Sequence, residues 1–265
     1  TPGQERHFAE IHRLDGSGAW LADYGNAGVA RIDVEERSLQ LVTILPTVDG
    51  GCWLAGTIRA LEEVGGGLIA SDETRDGLIG RLDAGGQLDA GFDDDGLLII
   101  DRHGYVDEID LLLPDATGAI YATGRSADGP ALAIDTVRRP FVVACDATGL
   151  ATARFDQGFR DLDEDLRVVA ATTDPAGALQ LAGNRSDGAD LLQLRPDGTL
   201  DPAFGSDGRF RFEDRPADGL IAAVSWRIDD LHRLASGELL VVVDRVESPP
   251  IGDPILSSEI WRLSA

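Results

Sequence analysis

Lysine and methionine are both missing from the 265 residues. The 23 basic side chains other than histidine are therefore all arginine, against 47 acidic ones, for a net charge of −24. A chain this negative repels phosphate over its whole surface, which argues against a nucleic-acid partner. Two cysteines are too few for a disulfide scaffold or a thiolate metal cluster. No apolar run reaches the roughly 18 residues that a membrane-spanning helix needs. Gly65-Gly66-Gly67 reads as a flexible loop rather than a phosphate cradle, since no helix pattern follows it and no lysine exists to assist. No Gly-x-Ser-x-Gly elbow and no His-Glu-x-x-His pair occurs among the residues.

What is present suits a folded domain. At 43% hydrophobic the chain is too apolar for a disordered acidic tail. A compact chain of this length buries roughly three-quarters of its unfolded surface, so its core needs no metal or covalent staple. It opens on Thr1 rather than methionine. Together with the acidic surface and the architecture below, this gives the expectation of an exported protein, periplasmic, cell-surface or extracellular.

The informative feature is an internal repeat. Residues 194–208 and 82–96 share the pattern Leu-x-x-x-Gly-x-Leu-Asp-x-x-Phe-x-x-x-Gly, carried by Gly86, Asp89 and Phe92 in one copy and Gly198, Asp201 and Phe204 in the other. Weaker copies run from Leu14 through Tyr24 to Gly28, and from Cys145 through Gly149 to Phe155. The aromatic anchors Tyr24, Phe92, Phe155 and Phe204 stand 68, 63 and 49 residues apart. Between anchors an apolar strand, an Asp/Gly turn and a short strand ending in small residues recur. Examples are 39–44 with 52–56, 109–113 with 119–124, 166–171 with 178–183, and 221–226 with 238–243. Short apolar runs punctuated in this way read as β-strands. The glycine supplies a tight turn with positive φ. The Asp of Leu-Asp-x-x-Phe accepts backbone N–H bonds, and the aromatic plugs the space between neighbouring units.

Each unit thus supplies about four strands in roughly 50–70 residues, the pattern of a propeller blade that buries its faces only by stacking. The repeat resembles the delta-60 β-propeller repeat family, whose unit reads approximately Arg-Leu-x-x-Asp-Gly-x-Leu-Asp-x-x-Phe-Gly-x-x-Gly. Residues 194–208 match it most closely. The resemblance implies exported bacterial repeat proteins and carries over no catalytic residue. The expected fold is all-β, a single propeller over 1–265 with four or five blades. An N-terminal half-blade (1–37) precedes blades at 38–101, 102–160, 161–214 and 215–265. Phe155 is followed by Asp156-Gln157-Gly158, a departure from the pattern that predicts a short outer strand in that blade. The last blade lacks its outermost strand. The N-terminal half-blade then either closes the ring within the chain, or pairs with the open edge of another copy, or leaves an open array.

Candidate chemistry is sparse. The four histidines, His7, His12, His103 and His232, show no ligand spacing. The acidic loops hold Asp93 and Asp95, and Asp161, Asp163 and Asp165. Such oxygen-rich loops suit calcium, although the EF-hand pattern fails, and a solvated acidic face is the plainer reading. No other cofactor is indicated. Cys52 and Cys145 read as buried thiols, or as a disulfide if their Cα atoms lie within about 7 Å. Trp53, Trp226 and Trp261 fall in strands and belong to the core, while Trp20 sits in a loop as a contact candidate. The leading expectation is a non-enzymatic scaffold that binds another protein or further copies of itself. A lectin-like propeller and an enzyme with a central-channel site, a lyase or hydrolase, are the alternatives.

Overall fold

One five-residue turn shapes most of the chain. It occurs at 15–19, 47–51, 83–87, 174–178, 195–199 and 234–238. In each, the first residue's N–H donates to the fifth residue's carbonyl, and the glycine at the fourth place donates back to the first. Those glycines have φ between +78° and +90°, the left-handed region that a hairpin closing through a type I turn requires. An aspartate side chain inside or beside the turn accepts further N–H bonds, as Asp15 does from Ser17 and Ala19 and Asp83 does from Gln87.

The computed structural model describes residues 8–34, 37–64, 67–70, 75–102, 106–115, 118, 120–127, 129, 138–149, 155, 158–162, 165–216, 218, 223–249 and 252–264. Among them every regular element is a strand, and the strands form five antiparallel sheets. The first is β1 (Ala9–His12) with β2 (Val29–Ile32). The second runs β3 (Arg37–Pro46), β4 (Cys52–Val64), β6 (Asp76–Leu82), β7 (Leu97–Ile100), with β5 (Gly67–Ala70) added to the far end of β4. Gly67 thus begins a strand rather than belonging to a loop, because β4 runs on past the expected 52–56 to Val64 and turns back on itself. The third sheet runs β8 (Val106–Pro114), β9 (Ile120–Ala127), β10 (Arg138–Cys145), β11 (Phe159–Asp161). Its last strand has three residues, as the broken repeat at Phe155 predicts. The fourth runs β12 (Arg167–Thr173), β13 (Leu179–Arg185), β14 (Gly188–Leu194), β15 (Arg209–Glu213). The fifth stops at three strands, β16 (Ala223–Arg233), β17 (Leu239–Ser248) and β18 (Ile255–Leu263).

The repeat is as regular in hydrogen bonding as in sequence. In three copies the anchor aromatic N–H donates to the residue three back: Tyr24 to Leu21, Phe92 to Asp89, Phe204 to Asp201. In the same copies Gly28, Gly96 and Gly208 donate to those aromatics' carbonyls. A bulge also recurs in the first strand pair of three sheets, at Val42, Val169 and Asp229, each eight residues before its turn glycine. An extra residue at a fixed place tightens the local twist of each sheet in the same way.

The chain folds as two compact units: Thr1–Leu112 with Ala122–Phe141 and Cys145–Leu150, and Leu113–Tyr121 with Val142–Ala144 and Ala151–Ala265. The core of the first gathers Tyr24, Ala30, Ile32, Leu39, Leu54, Ile58, Leu78 and Leu82, so the first sheet packs on the second. That of the second gathers Leu191, Phe204, Phe212, Ile228, Leu239 and Val241, so the fourth sheet packs on the fifth. Alternate residues of a strand face opposite ways. On β6, Leu78 and Leu82 face the sheet before, while Gly77 abuts Ile109 of the sheet after. On β14, Ala189 and Leu191 face the sheet after.

Candidate functional site

The anchors and turn glycines form seats. A Cβ on Gly86 would lie 2.9 Å from the Tyr24 ring, one on Gly149 3.2 Å from the Phe92 ring, and one on Gly198 2.4 Å from the Phe155 ring. Each aromatic therefore rests on the glycine of the following repeat. The second strand of the sheet supports it from the other side: Trp53 meets Phe92 edge-on at 4.9 Å, and Tyr121 meets Phe155 at 5.8 Å. Gly18 has nothing within 4 Å of where its Cβ would be, so the first seat of the series is empty. Asp89 and Asp201 brace the loops, accepting from the Gly91 N–H at 2.9 Å and the Ala203 N–H at 3.2 Å. Asp89 also pairs with Arg81, whose guanidinium lies 4.9 Å from the Trp53 ring. Tyr24 with Gly86 and Phe155 with Gly198 thus meet across neighbouring repeats, Phe204 joins the core between the fourth and fifth sheets, and Asp89 and Asp201 fix their own loops.

The metal candidates do not converge among the described residues, where no three His, Cys, Asp or Glu side chains form a ligand set. Asp165 pairs with Arg185 at 2.8 Å and accepts from Ser186. A guanidinium already holds the charge a cation would have neutralised. Asp161 ends β11 and is exposed, and Asp163 lies outside the described residues, as do His7 and His103. Asp95 accepts the Leu97 N–H. Asp93 sits at φ +46° and titrates above the usual carboxylate range, raised by burial and then by Asp95 and Asp94. His12 meets the Trp20 ring edge-on at 4.7 Å, and His232 pairs with the exposed Asp230 at 2.9 Å. Cys52 and Cys145 are free and buried, and burial pushes the Cys145 thiol up to about 12. Burial, with the Cys52 thiol beside it, raises Tyr24 to about 12 as well.

Arginine carries the interior electrostatics. Asp190, fully buried on β14, takes two parallel bonds from Arg211 on β15, at 2.9 and 3.1 Å, and a third from Arg185 at 3.4 Å. Glu108 pairs with Arg75, Arg125 and Arg138 at 2.9 to 3.2 Å, and Arg125 also grips Asp110. Burying such carboxylates is tolerable because planar guanidinium groups answer several oxygens at once.

Large apolar residues are exposed near the start (Phe8, Leu14, Trp20), further in (Val42, Ile44, Val48, Ile99) and near the end (Ile255, Leu256, Ile260). Ile79, Val142 and Leu191 occupy one repeat position and are 0%, 0% and 1% exposed; Ile260, at that position on β18, is 73% exposed. Leu82, Cys145 and Leu194 are 1%, 0% and 0% exposed at another position, where Leu14 is 52% exposed. Trp20, the loop aromatic, is 55% exposed beside it. A cleft of about 380 Å³ runs between β1 and β3, lined by Glu10, Ile11, His12 and 41–44. Among the described residues the first sheet holds β1 and β2 alone, and β18 ends its own sheet with no strand on its outer side.

Sequence reasoning missed one signal at these ends. Glu10-Ile11-His12-Arg13-Leu14 and Glu259-Ile260-Trp261-Arg262-Leu263 agree at four of five positions. The strand that opens the structure is thus repeated by the strand that closes it. The glycine-aromatic loop that marks the other copies follows the first of these strands.

No protein-family model matches the chain, and no curated protein matches it.

Proposed function

We propose that the chain is a propeller-type repeat scaffold, related to the delta-60 repeats it resembles, that binds protein through the bare faces of its terminal sheets and catalyses no reaction. Three sheets have the four-strand path of a blade, and the first and last sheets are parts of blades. The reading is carried by one observation: Ile260 is 73% exposed where its repeat equivalents are 0–1% exposed. A repeat face left without its neighbour is an unfilled interface. Its partner must bring what the interior repeats bring, another apolar sheet face. The acidic surface, at net −24, keeps copies apart except where such a face offsets the repulsion.

Light scattering after size exclusion, over a concentration series in calcium and in EDTA, tests this. The expected result is a species above the 28.1 kDa monomer that grows with concentration and is lost in Ile260→Glu. Ile260 is exposed, so that variant keeps its fold. A monomer at every concentration overturns self-association, and the calcium arm reports whether the acidic loops contribute.

A further inference from the structure

We infer that β18 of one copy takes the place of β1 beside β2 of a second copy, so that a complete blade forms across two chains. This inference rests on the scaffold reading and names its partner: the chain itself. Three observations lead to it.

The first is the shared pentapeptide. In β1 it places Ile11 against the core that holds Tyr24, Ala30 and Ile32, and it sets Glu10 directly opposite Arg31 of β2. Laid over it, β18 would put Ile260 in the seat of Ile11 and Glu259 opposite Arg31. The 73% exposure of Ile260 would then end for the same reason that Ile11 is already half-buried.

The second is charge at that register. In the fourth sheet the equivalent pair is Asp190 opposite Arg211, which forms the two-bond carboxylate–guanidinium contact described above. Arg31 now has only a 3.5 Å approach to Asp33 and a stacking contact with the Phe8 ring, both at the exposed surface. Glu259 accepts from the Trp261 indole. Bringing Glu259 to Arg31 would set the same two charges opposite each other as in the fourth sheet.

The third is strand count. Among the described residues the last sheet holds three strands and the first holds two, where the fourth sheet holds four. Exchange needs the release of the four-pair ladder of β1 on β2 and of the Arg13 bonds to the Gly28, Gly50 and Ala84 carbonyls, while the nine-pair ladder of β17 and β18 stays intact. It would fill the cleft beside β1 with β17. The segment it releases carries Phe8, Leu14 and Trp20, which are among the exposed apolar residues of the chain. The contact is head-to-tail, so copies would build rings or filaments rather than isologous dimers.

Full-length charge variants test the exchange by light scattering, with circular dichroism as the check on folding. Arg31→Glu and Glu259→Arg should each lose the larger species, and an equimolar mixture of the two should restore it. Glu10→Arg should shift the concentration series toward larger species, because it loosens β1 from Arg31 and vacates the slot. Leu14→Glu should leave association unchanged, since Leu14 leaves with β1. If the wild type assembles and Ile260→Glu abolishes this, but Leu14→Glu also abolishes it and the mixture fails to restore it, faces stack without exchange: the scaffold reading stands and the exchange is refuted. If Glu10→Arg is monomeric along with the wild type, the exchange is refuted too. A monomeric wild type with an assembling Glu10→Arg would support the exchange while refuting spontaneous assembly.

Discussion

The glycine seats make a quantitative claim that two alanines can settle. Gly18 and Gly86 hold the same place in the same turn, at φ +84° and +78°, and both lie in the first compact unit. Replacing either by alanine costs about 1 kcal/mol for a side chain in the left-handed region. At Gly18 that is the whole cost, because nothing lies within 4 Å of the new Cβ. At Gly86 the methyl would stand 2.9 Å from the Tyr24 ring and 3.0 Å from the Gly25 backbone nitrogen. The ring is 4% exposed and held by its core, so it cannot swing clear. Overpacking of this kind adds roughly 1–3 kcal/mol. The expected losses are about 1 kcal/mol for Gly18→Ala and about 2–4 kcal/mol for Gly86→Ala. With a urea slope of about 3 kcal/mol/M, the midpoints would separate by roughly 0.3–1 M. Urea unfolding followed by tryptophan fluorescence measures this, provided the slope is unchanged between variants. Equal midpoints would refute the idea that the aromatic-on-glycine seat is a packing contact between repeats.

Three further outcomes concern single side chains. Asp190→Asn leaves Arg211 and Arg185 facing a neutral amide in a fully buried place, and should cost about 3 kcal/mol in the same unfolding assay. Glu238 is held down to about 2 by Arg262 and then by the Ser236 hydroxyl, against an ordinary 4.5. Its stabilising effect is therefore present above about 4.5 and fades as pH falls toward 2, and a carboxyl NMR titration should show the low midpoint return toward 4.5 in Arg262→Gln. Cys145, buried and raised to about 12, should not react with a disulfide reagent at pH 8 in the folded protein and should react fully once unfolded; modification of the native chain would contradict its burial.

The sequence carried the fold well wherever the signal was local. The turn glycines, the anchors from Tyr24 to Phe204 and the short strand after Phe155 are all consequences of neighbours in the chain. A turn or an alternating run is specified by a handful of adjacent residues. The paired ion clusters were not visible, because Asp190 meets Arg211 and Glu108 meets Arg75 only after strands align. Of the Gly65-Gly66-Gly67 stretch only Gly67 lies among the described residues, where it begins β5, and that pairing of β5 with β4 depends on residues beyond the local run of glycines.

The ends of the chain are the instructive case, because there the sequence held the information in a form that only the structure makes meaningful. Glu-Ile-x-Arg-Leu at both ends is short, and five residues matching at four places is a weak signal when read alone. Its weight comes from register. Both copies carry the carboxylate at the position that faces an arginine in the fourth sheet, and both put an isoleucine at the repeat position that Ile79, Val142 and Leu191 bury. On β18 the 73% exposed Ile260 stands beside an acid at the register that meets a guanidinium in the fourth sheet. Polar substitution at Ile260 would cost an isolated monomer nothing. Pairing with β2 of a second copy, where Arg31 stands at the matching register, is the proposed way in which that face is covered.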